Sequence, residues 1–498
     1  MILLYPYLQY YVDPDATAYL IISKRYAEGD YARAINGYWS PWSCWLTALG
    51  VKLGFGVMRS AIIANTCAAV GLAYVTQLFF LKYDIDKFPQ WALQLALAVF
   101  LSYAVYYQNF DDLWECFFLL YALRVTISHQ FSYSPLLWVG AGVLGALAYF
   151  AKAYSFPFFI LSTVFLVFYN TRAWNIKYLK RWLKISSVMI GVMLLLSAPW
   201  IYALHEKYGM WITSTAGTLN MSWYLVGHPE FKEGLGYLLP PVYANSPTYW
   251  EDPWFVNGAT PHFWDTTDLF VRQLMKIGLN GYKFVISSMQ ISVAFLLVVI
   301  YTALKPFKRV KTSKYKVYYC IIVPFLLFPL PFFLINFEPR YIWYMLPLSM
   351  LLGVLIMRKN DWDKKWLIVV FALSYIVYPL YGIKKMKPDE HDYQLAQYQI
   401  EDGRKGSMSS NIVFGMPESV TMQRVTHYSG MQYFMMLKSP ATFQQLLPEL
   451  RKYRVQYYYY YPNHNPDWKI VDENSKPFPQ VSEYKDETIK IYSLNTEN

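Results

Sequence analysis

Two aspartates stand almost at the start of the chain, in the stretch YYVDPDATAYL, where Asp13 and Asp15 flank Pro14. A second acidic pair, Asp111-Asp112, lies in YYQNFDDLWECFFLLY between two apolar runs. Lys152 is set in GALAYFAKAYSFPFFI with almost no loop around it, and Glu338 and Arg340 share the short connection NFEPRYIWYMLP. Carboxylates suit general-base work on a hydroxyl or an amine. Lysine and arginine suit a departing phosphate, which an arginine grips bidentately. Each group also has an ordinary structural reading. Asp13 before a proline is a helix cap, Asp15 in the first turn is favoured by the helix dipole, Lys152 can snorkel to an interface, and Glu338 can pair with Arg340. The surroundings decide how much weight the chemical reading carries.

Those surroundings are apolar. Of 498 residues, 55% are hydrophobic and 15% charged, against about 25% charged in soluble domains. Aromatics make up 19%, with 47 Tyr and 18 Trp, as expected of a chain with many membrane–water interfaces to anchor. The net charge of +11 would point to nucleic acid only if it gathered on a soluble face. It falls instead in short loops between apolar runs. Cys44, Cys67, Cys116 and Cys320 show no metal-ligand spacing, so neither a disulfide framework nor a zinc site is expected. No cleavable signal peptide is visible. The first apolar run, MILLYPYLQYYV, reads as the tail of a membrane helix, although a full span needs about 20 residues.

Ten further apolar runs follow, near 59–81, 88–108, 112–127, 136–152, 155–169, 184–204, 283–304, 317–336, 341–357 and 366–383. The expectation is a polytopic α-helical membrane protein of about eleven transmembrane helices, with a small C-terminal soluble α/β domain. The basic loops NTRAWNIKYLKRWLK, KPFKRVKTSKYK and RKNDWDKK fall on one side when spans are counted alternately, and the positive-inside rule assigns that side to the cytoplasm. Outward then lie the 13–58 segment, a Trp- and Tyr-rich loop over 205–282 that is expected to fold onto the membrane domain, and everything after 384. The implied domains are 1–383 and 384–498. In the latter, SNIVFG, VQYYYYY and TIKIYSL read as strands and PATFQQLLPELRKY as a helix. Both acidic pairs, Lys152, Glu338 and Arg340 collect on the outward face, and ionisable groups at that depth are functional candidates. Tyr19, Tyr38, Trp39, His228, Trp250 and Tyr341 are candidates to line a sugar or an acceptor.

In this order and topology the chain resembles the GT-C glycosyltransferases, specifically bacterial relatives of protein mannosyltransferases and lipid A aminoarabinose transferases. The likeness runs through AYLIISKRYAEGDYARAINGYWSPWSCWLTAL, the Asp111-Asp112 pair, YFAKAY, SAPWIYALHEKYG and EPRYIWYMLP. The resemblance implies inverting transfer from a polyprenyl-phosphate sugar to a lipid, glycan or protein acceptor at the outer face of the bacterial inner membrane. Asp15 matches the family's catalytic base, and Lys152 and Arg340 match positions near the lipid phosphate. Asp13, Asp111, Asp112 and Glu338 are supporting carboxylates. No cofactor is required by this reading, and a metal ion is left open. Where aminoarabinose transferases carry Lys-Pro-Pro this chain has Trp39-Ser40-Pro41, which weakens lipid A as the acceptor. The rival reading is a transporter or flippase of a lipid-linked sugar, but the matching halves typical of transporters are not visible. The topology is directly testable. A cysteine introduced at Asn474 is expected to react with an impermeant thiol reagent in intact cells, and labelling only after lysis would overturn it.

Overall fold

A computed structural model of the chain describes residues 4–107, 110–171, 175–226, 236–243, 246–256, 260–304, 313–386, 393–394, 396–397, 411–414, 424, 427–436, 442–460, 468–484 and 489–494. It divides into two compact units. The first comprises Met1–Tyr5, Ser23–Met221 and His262–Met386, and the second Pro6–Ile22, Ser222–Pro261 and Lys387–Asn498.

Helices α1 (Tyr5–Leu8), α2 (Pro14–Glu28), α3 (Tyr31–Ala34) and α4 (Pro41–Lys52) come first. The run expected to end a spanning helix thus yields only the four-residue α1 among the described residues. Its chain turns at Leu8, whose carbonyl accepts from the Tyr11 N–H at 3.1 Å. Helices then occupy all ten later apolar runs: α5 (Val57–Lys82), α6 (Lys87–Tyr107), α7 (Phe110–Thr126), α8 (Pro135–Ala151), α9 (Ser155–Thr171), α10 (Ile176–Tyr208) and α11 (Ala216–Val226) in the loop beyond, then α12 (Thr267–Ile291), α13 (Val293–Leu304), α14 (Ser313–Leu327), α15 (Met345–Lys359), α16 (Lys365–Ser374) and α17 (Val377–Lys385). Among the described residues four stretches, Val57–Lys82, Lys87–Tyr107, Ile176–Tyr208 and Lys365–Lys385, are long and apolar enough to cross a membrane by length and composition. The count of eleven is not reached on that measure.

Two departures have local causes. Residues 267–282, expected to be irregular, form the first half of α12, which Thr266 caps by accepting from the Leu269 N–H at 3.2 Å. One face of this helix is apolar and exposed (Phe270, Leu274, Met275, Tyr282, Met289), while Gln273 and Asn280 are buried. The expected single span over 283–304 breaks at Ser292, whose hydroxyl accepts from the Ala294 N–H at 3.1 Å and meets Ser374 Oγ at 2.7 Å.

Small residues set the helix contacts of the first unit. A Cβ on Gly142 of α8 would lie 2.6 Å from the Met189 carbonyl of α10, and one on Gly145 would lie 2.6 Å from the Phe159 ring of α9. Close backbone approach of this kind supplies packing where lipid tails remove the hydrophobic drive between helices. At one end of the bundle Arg358 donates to Asp84 O at 3.0 Å and pairs with Asp86 at 3.1 Å, so the basic connection after α15 meets the turn between α5 and α6.

Among the described residues of the second unit six strands make one sheet: β1 (Leu238–Leu239), β2 (Asn411–Phe414), β3 (Gln432–Met436), β4 (Tyr457–Tyr460), β5 (Gln480–Tyr484) and β6 (Ile489–Ser493), in the order β1-β3-β2-β4-β6-β5. β2 runs parallel to both neighbours, and the other pairs are antiparallel. Helix α18 (Phe443–Lys452) joins β3 to β4. It buries Phe443, Leu446, Leu447 and Leu450 in a core with Leu238, Tyr458, Ile470 and Phe478, the i, i+3, i+4, i+7 stripe of an amphipathic helix. The 205–282 loop was expected on the membrane domain as a whole. Its 222–261 portion instead belongs to this unit, because Leu238 and Leu239 pair with Met436 and Met435 and complete the sheet.

The glycine packing yields a paired test. Gly142→Ala is expected to destabilise by about 1–3 kcal/mol, since a backbone carbonyl cannot give way cheaply. Gly191→Ala, with nothing within 4 Å of its Cβ, is expected to be neutral or stabilising by up to about 1 kcal/mol. Thermal unfolding in detergent compares the two.

Candidate active site

In the first unit the charged residues singled out by sequence converge. Asp111 and Asp112 occupy the first turn of α7, where the helix dipole favours them. Asp112 and Glu115 are three residues apart and share a face. Lys152 follows α8 in extended conformation (φ −154°), its N–H bonded to Ala148 O at 2.8 Å. Ser155 N–H returns to Lys152 O at 2.9 Å, so the turn into α9 is tight. This aims the Lys152 ammonium at α7. There it hydrogen-bonds Asp112 Oδ1 and lies 3.7 Å from Glu115 Oε2, while Ser155 Oγ donates to Glu115 Oε1 at 2.8 Å.

Arg340 arrives on a short 3-10 turn, Pro339–Ile342. One terminal nitrogen lies 3.9 Å from Asp112 Oδ2, and Nε lies 2.7 Å from Glu338 Oε2, a charge contact rather than an aligned hydrogen bond. Asn336 Nδ2 donates to Glu338 Oε1 at 3.3 Å, and Lys283 Nζ donates to Asn336 Oδ1 at 3.1 Å. The Tyr341 ring lies 4.7 Å from the Lys152 ammonium and stacks on Phe332 at 4.2 Å. The Asp112 and Glu115 side chains are 3% exposed, Arg340 12% and Lys152 20%. Asp112 thus lies between two largely buried cations. That spacing can present positive charge to an anionic group.

In the second unit Asp13 and Asp15 have different partners. Asp13 Oδ1 accepts from the Asp15 N–H at 3.0 Å, and its carbonyl from the Thr17 N–H at 3.3 Å, so Asp13 caps α2. Asp15, one step into the helix, accepts at Oδ1 from the Trp250 indole N–H at 3.3 Å. Trp250 sits on a 3-10 turn, Tyr249–Glu251, whose start Thr248 caps, and packs on Trp223 at 6.1 Å. Tyr19 is buried one turn beyond Asp15.

Tyr38 and Trp39 lie ahead of α4 in the first unit. Tyr38 OH donates to Asn220 Oδ1 at 2.9 Å, and the Trp39 N–H donates to Asn36 Oδ1 at 3.0 Å. Gly37 beside them donates to Tyr208 OH at 2.9 Å and accepts from the Thr215 N–H at 2.8 Å. Any Cβ there would press on both side chains. Asp111 is buried on α7, one residue away from the face that Asp112 shares with Glu115. His228 lies outside the described residues. Sequence reasoning missed Glu115 and Ser155. The Asp-x-x-Glu spacing inside an apolar helix was the available signal for Glu115. Among the described residues no group of three or more His, Cys, Asp or Glu is placed to hold a metal ion.

No protein-family model and no curated protein matches this chain. Among solved structures, ArnT from Cupriavidus metallidurans bound to undecaprenyl phosphate aligns with a TM-score of 0.57 at 13% identity, over 98% of this chain and 95% of that one. The chain has the ArnT fold. The apo state of the same protein aligns with a TM-score of 0.54 at 12% identity, over 97% and 93% of the two chains. The likeness is one of fold, the fold expected from the sequence, and among the described residues four helical stretches are long and apolar enough to cross a membrane by length and composition.

The buried charges generate a coupling test. Lys152→Met leaves Glu115 without its cation and Asp112 with Arg340 alone at 3.9 Å, and loss of one member of a buried pair costs about 3–5 kcal/mol. Adding Asp112→Asn should return part of that stability, with a coupling of about 0.5–3 kcal/mol. Additive losses in thermal denaturation would show that the pair is not energetically linked.

Proposed function

We propose that this protein is an inverting membrane glycosyltransferase that moves a sugar from a polyprenyl-phosphate donor to an acceptor at the outer face of the membrane. The observation that carries the reading is Asp112 held between Lys152 and Arg340 at the end of apolar helices. Two cations fixed there suit the phosphate of a lipid whose chain stays in the bilayer. The similarly folded ArnT structure holds undecaprenyl phosphate, the chemistry proposed for this site.

In this mechanism Asp15 accepts the proton of the acceptor's hydroxyl or amine as that atom bonds to the anomeric carbon. The bond from that carbon to the phosphate oxygen breaks, and the electron pair leaves with the phosphate. Lys152 and Arg340 stabilise the charge that develops there. The Trp250 N–H orients the Asp15 carboxylate. An attacking group that enters opposite the leaving group inverts the anomeric centre. The protein crosses the bacterial inner membrane about eleven times, with the basic loops in the cytoplasm and the site and residues 384–498 outside.

The test is incubation of purified protein with a panel of radiolabelled undecaprenyl-phosphate pentoses and hexoses. Asp15→Asn should lower transfer by at least about a hundredfold, the lower range for general-base catalysis, and leave undecaprenyl phosphate binding intact. Lys152→Ala and Arg340→Ala should weaken donor binding or turnover, with Lys152→Arg milder than Arg340→Lys because a planar fork is lost only at the latter. Full activity in all three variants would end this reading.

A further inference from the structure

Arg424, Tyr428, Gln432 and Tyr433 hydrogen-bond to the segments that lead into both partners of the hydrogen bond between Asp15 and Trp250. On the aspartate side, Arg424 Nε donates to Val12 O at 2.6 Å, directly before the Asp13 cap, and its guanidinium lies 5.8 Å from the Tyr11 ring. Tyr428 OH donates to Tyr10 O at 2.9 Å. Tyr10 stacks on Tyr393 at 4.4 Å, and Tyr393 meets Tyr428 edge-on at 5.2 Å. On the tryptophan side, the Tyr433 N–H donates to Pro247 O at 2.7 Å, and Gln432 Nε2 donates to Ser246 O at 3.1 Å. Glu449 accepts from the Tyr237 and Leu238 N–H groups at 2.7 and 2.8 Å, where β1 joins β3.

The lead-in over 11–13 has no regular secondary structure, so its carbonyls need partners from elsewhere in the chain. Arg424 supplies one at Val12, and Tyr428 donates to the Tyr10 carbonyl just before the lead-in. Rotation of that lead-in would swing the first turn of α2, and with it the Asp15 carboxylate. A misplacement of about 1 Å at a reacting group can cost roughly a hundredfold in rate.

We propose that Arg424 is a positioning residue for the Asp15 carboxylate: with Tyr428 and β3 it fixes the lead-in of α2 against the Trp250 turn, which makes the C-terminal segment part of the proton-abstraction machinery. This rests on the reading of Asp15 as the base.

The experiment uses the full-length protein in lipid nanodiscs, as wild type and as Arg424→Ala, Arg424→Lys, Tyr428→Phe and Asp15→Asn. Amide hydrogen exchange over residues 13–17 and the indole N–H signal of Trp250, assigned with Trp250→Phe, report the geometry. Undecaprenyl phosphate binding and transfer from the radiolabelled panel report the function. In Arg424→Ala, exchange over 13–17 should rise at least about tenfold and the Trp250 signal should shift as it does in Asp15→Asn. The kcat should fall at least about tenfold while undecaprenyl phosphate affinity stays within about twofold, the split expected when only orientation of the base is lost. Arg424→Lys, which keeps one donor for Val12 O, should recover part of both. In the Asp15→Asn background, Arg424→Ala should remove nothing further. An unchanged exchange pattern and Trp250 signal, or a loss of affinity in step with kcat, would overturn the proposal. If the alanine variant does not fold, Tyr428→Phe, which removes a single hydroxyl, is judged by the same readouts with a smaller expected change. Asp15→Asn with full transfer would refute the assignment of the base and leave the exchange result standing, so the two failures are told apart.

Discussion

Charge cannot be left alone at the end of an apolar helix bundle, and the first unit is arranged around that constraint. Lys152, Arg340, Asp112, Glu115 and Glu338 compensate one another through short distances. Such groups persist in a low-dielectric setting only when paired and hydrogen-bonded. The demand shapes the backbone around them. The turn from α8 to α9 closes on Lys152 within three residues, and Arg340 comes on a single 3-10 turn. Ser155 and Asn336 satisfy the outer carboxylate oxygens. A looser loop at either place would let the cations wander toward water and strand Asp112. Asp112 holds the position between the two cations that an anionic ligand would bridge.

The second unit solves a different problem with different means. Its working contact is a single neutral donor on a carboxylate, Trp250 to Asp15, and neither residue stands on a rigid span. Backbone hydrogen bonds and aromatic stacking supply the stiffness instead. Asp13 shows the division of labour most clearly. Its carboxylate accepts from the Asp15 amide at the helix end, which sets a structural task apart from the catalytic one proposed for Asp15.

Much of this was written in the chain in local terms. The apolar runs placed the helices because burial and lipid exposure act on consecutive residues, and the short connections marked Lys152 and Arg340 because a charge without a loop has nowhere else to go. The helix of the C-terminal segment was legible from the stripe Phe443, Leu446, Leu447, Leu450, and strands β2, β4 and β6 from their apolar runs, while β3 and β5 were missed. What local pattern could not supply was pairing at a distance. Nothing in GYLLPP announces that Leu238 and Leu239 complete a sheet with Met435 and Met436. Ser155 reads as an ordinary helix start until the Glu115 carboxylate is placed beside it. The amphipathic α12 was hidden because Arg272, Lys276 and Lys283, which lie off its exposed apolar face, break a continuous hydrophobic run without breaking the 3.6-residue period.

The pairing of β1 with β3 has a consequence for how the molecule is made. About two hundred residues separate the two strands, and a contact that distant forms slowly because loop closure must precede it. During synthesis the membrane helices can insert one after another as they emerge. The 236–256 segment, by contrast, must wait with an open strand edge until residues 432–449 have been translated and delivered to it. The second unit therefore completes late, and until residues 432–449 have been made its unpaired β1 edge is the aggregation-prone stage.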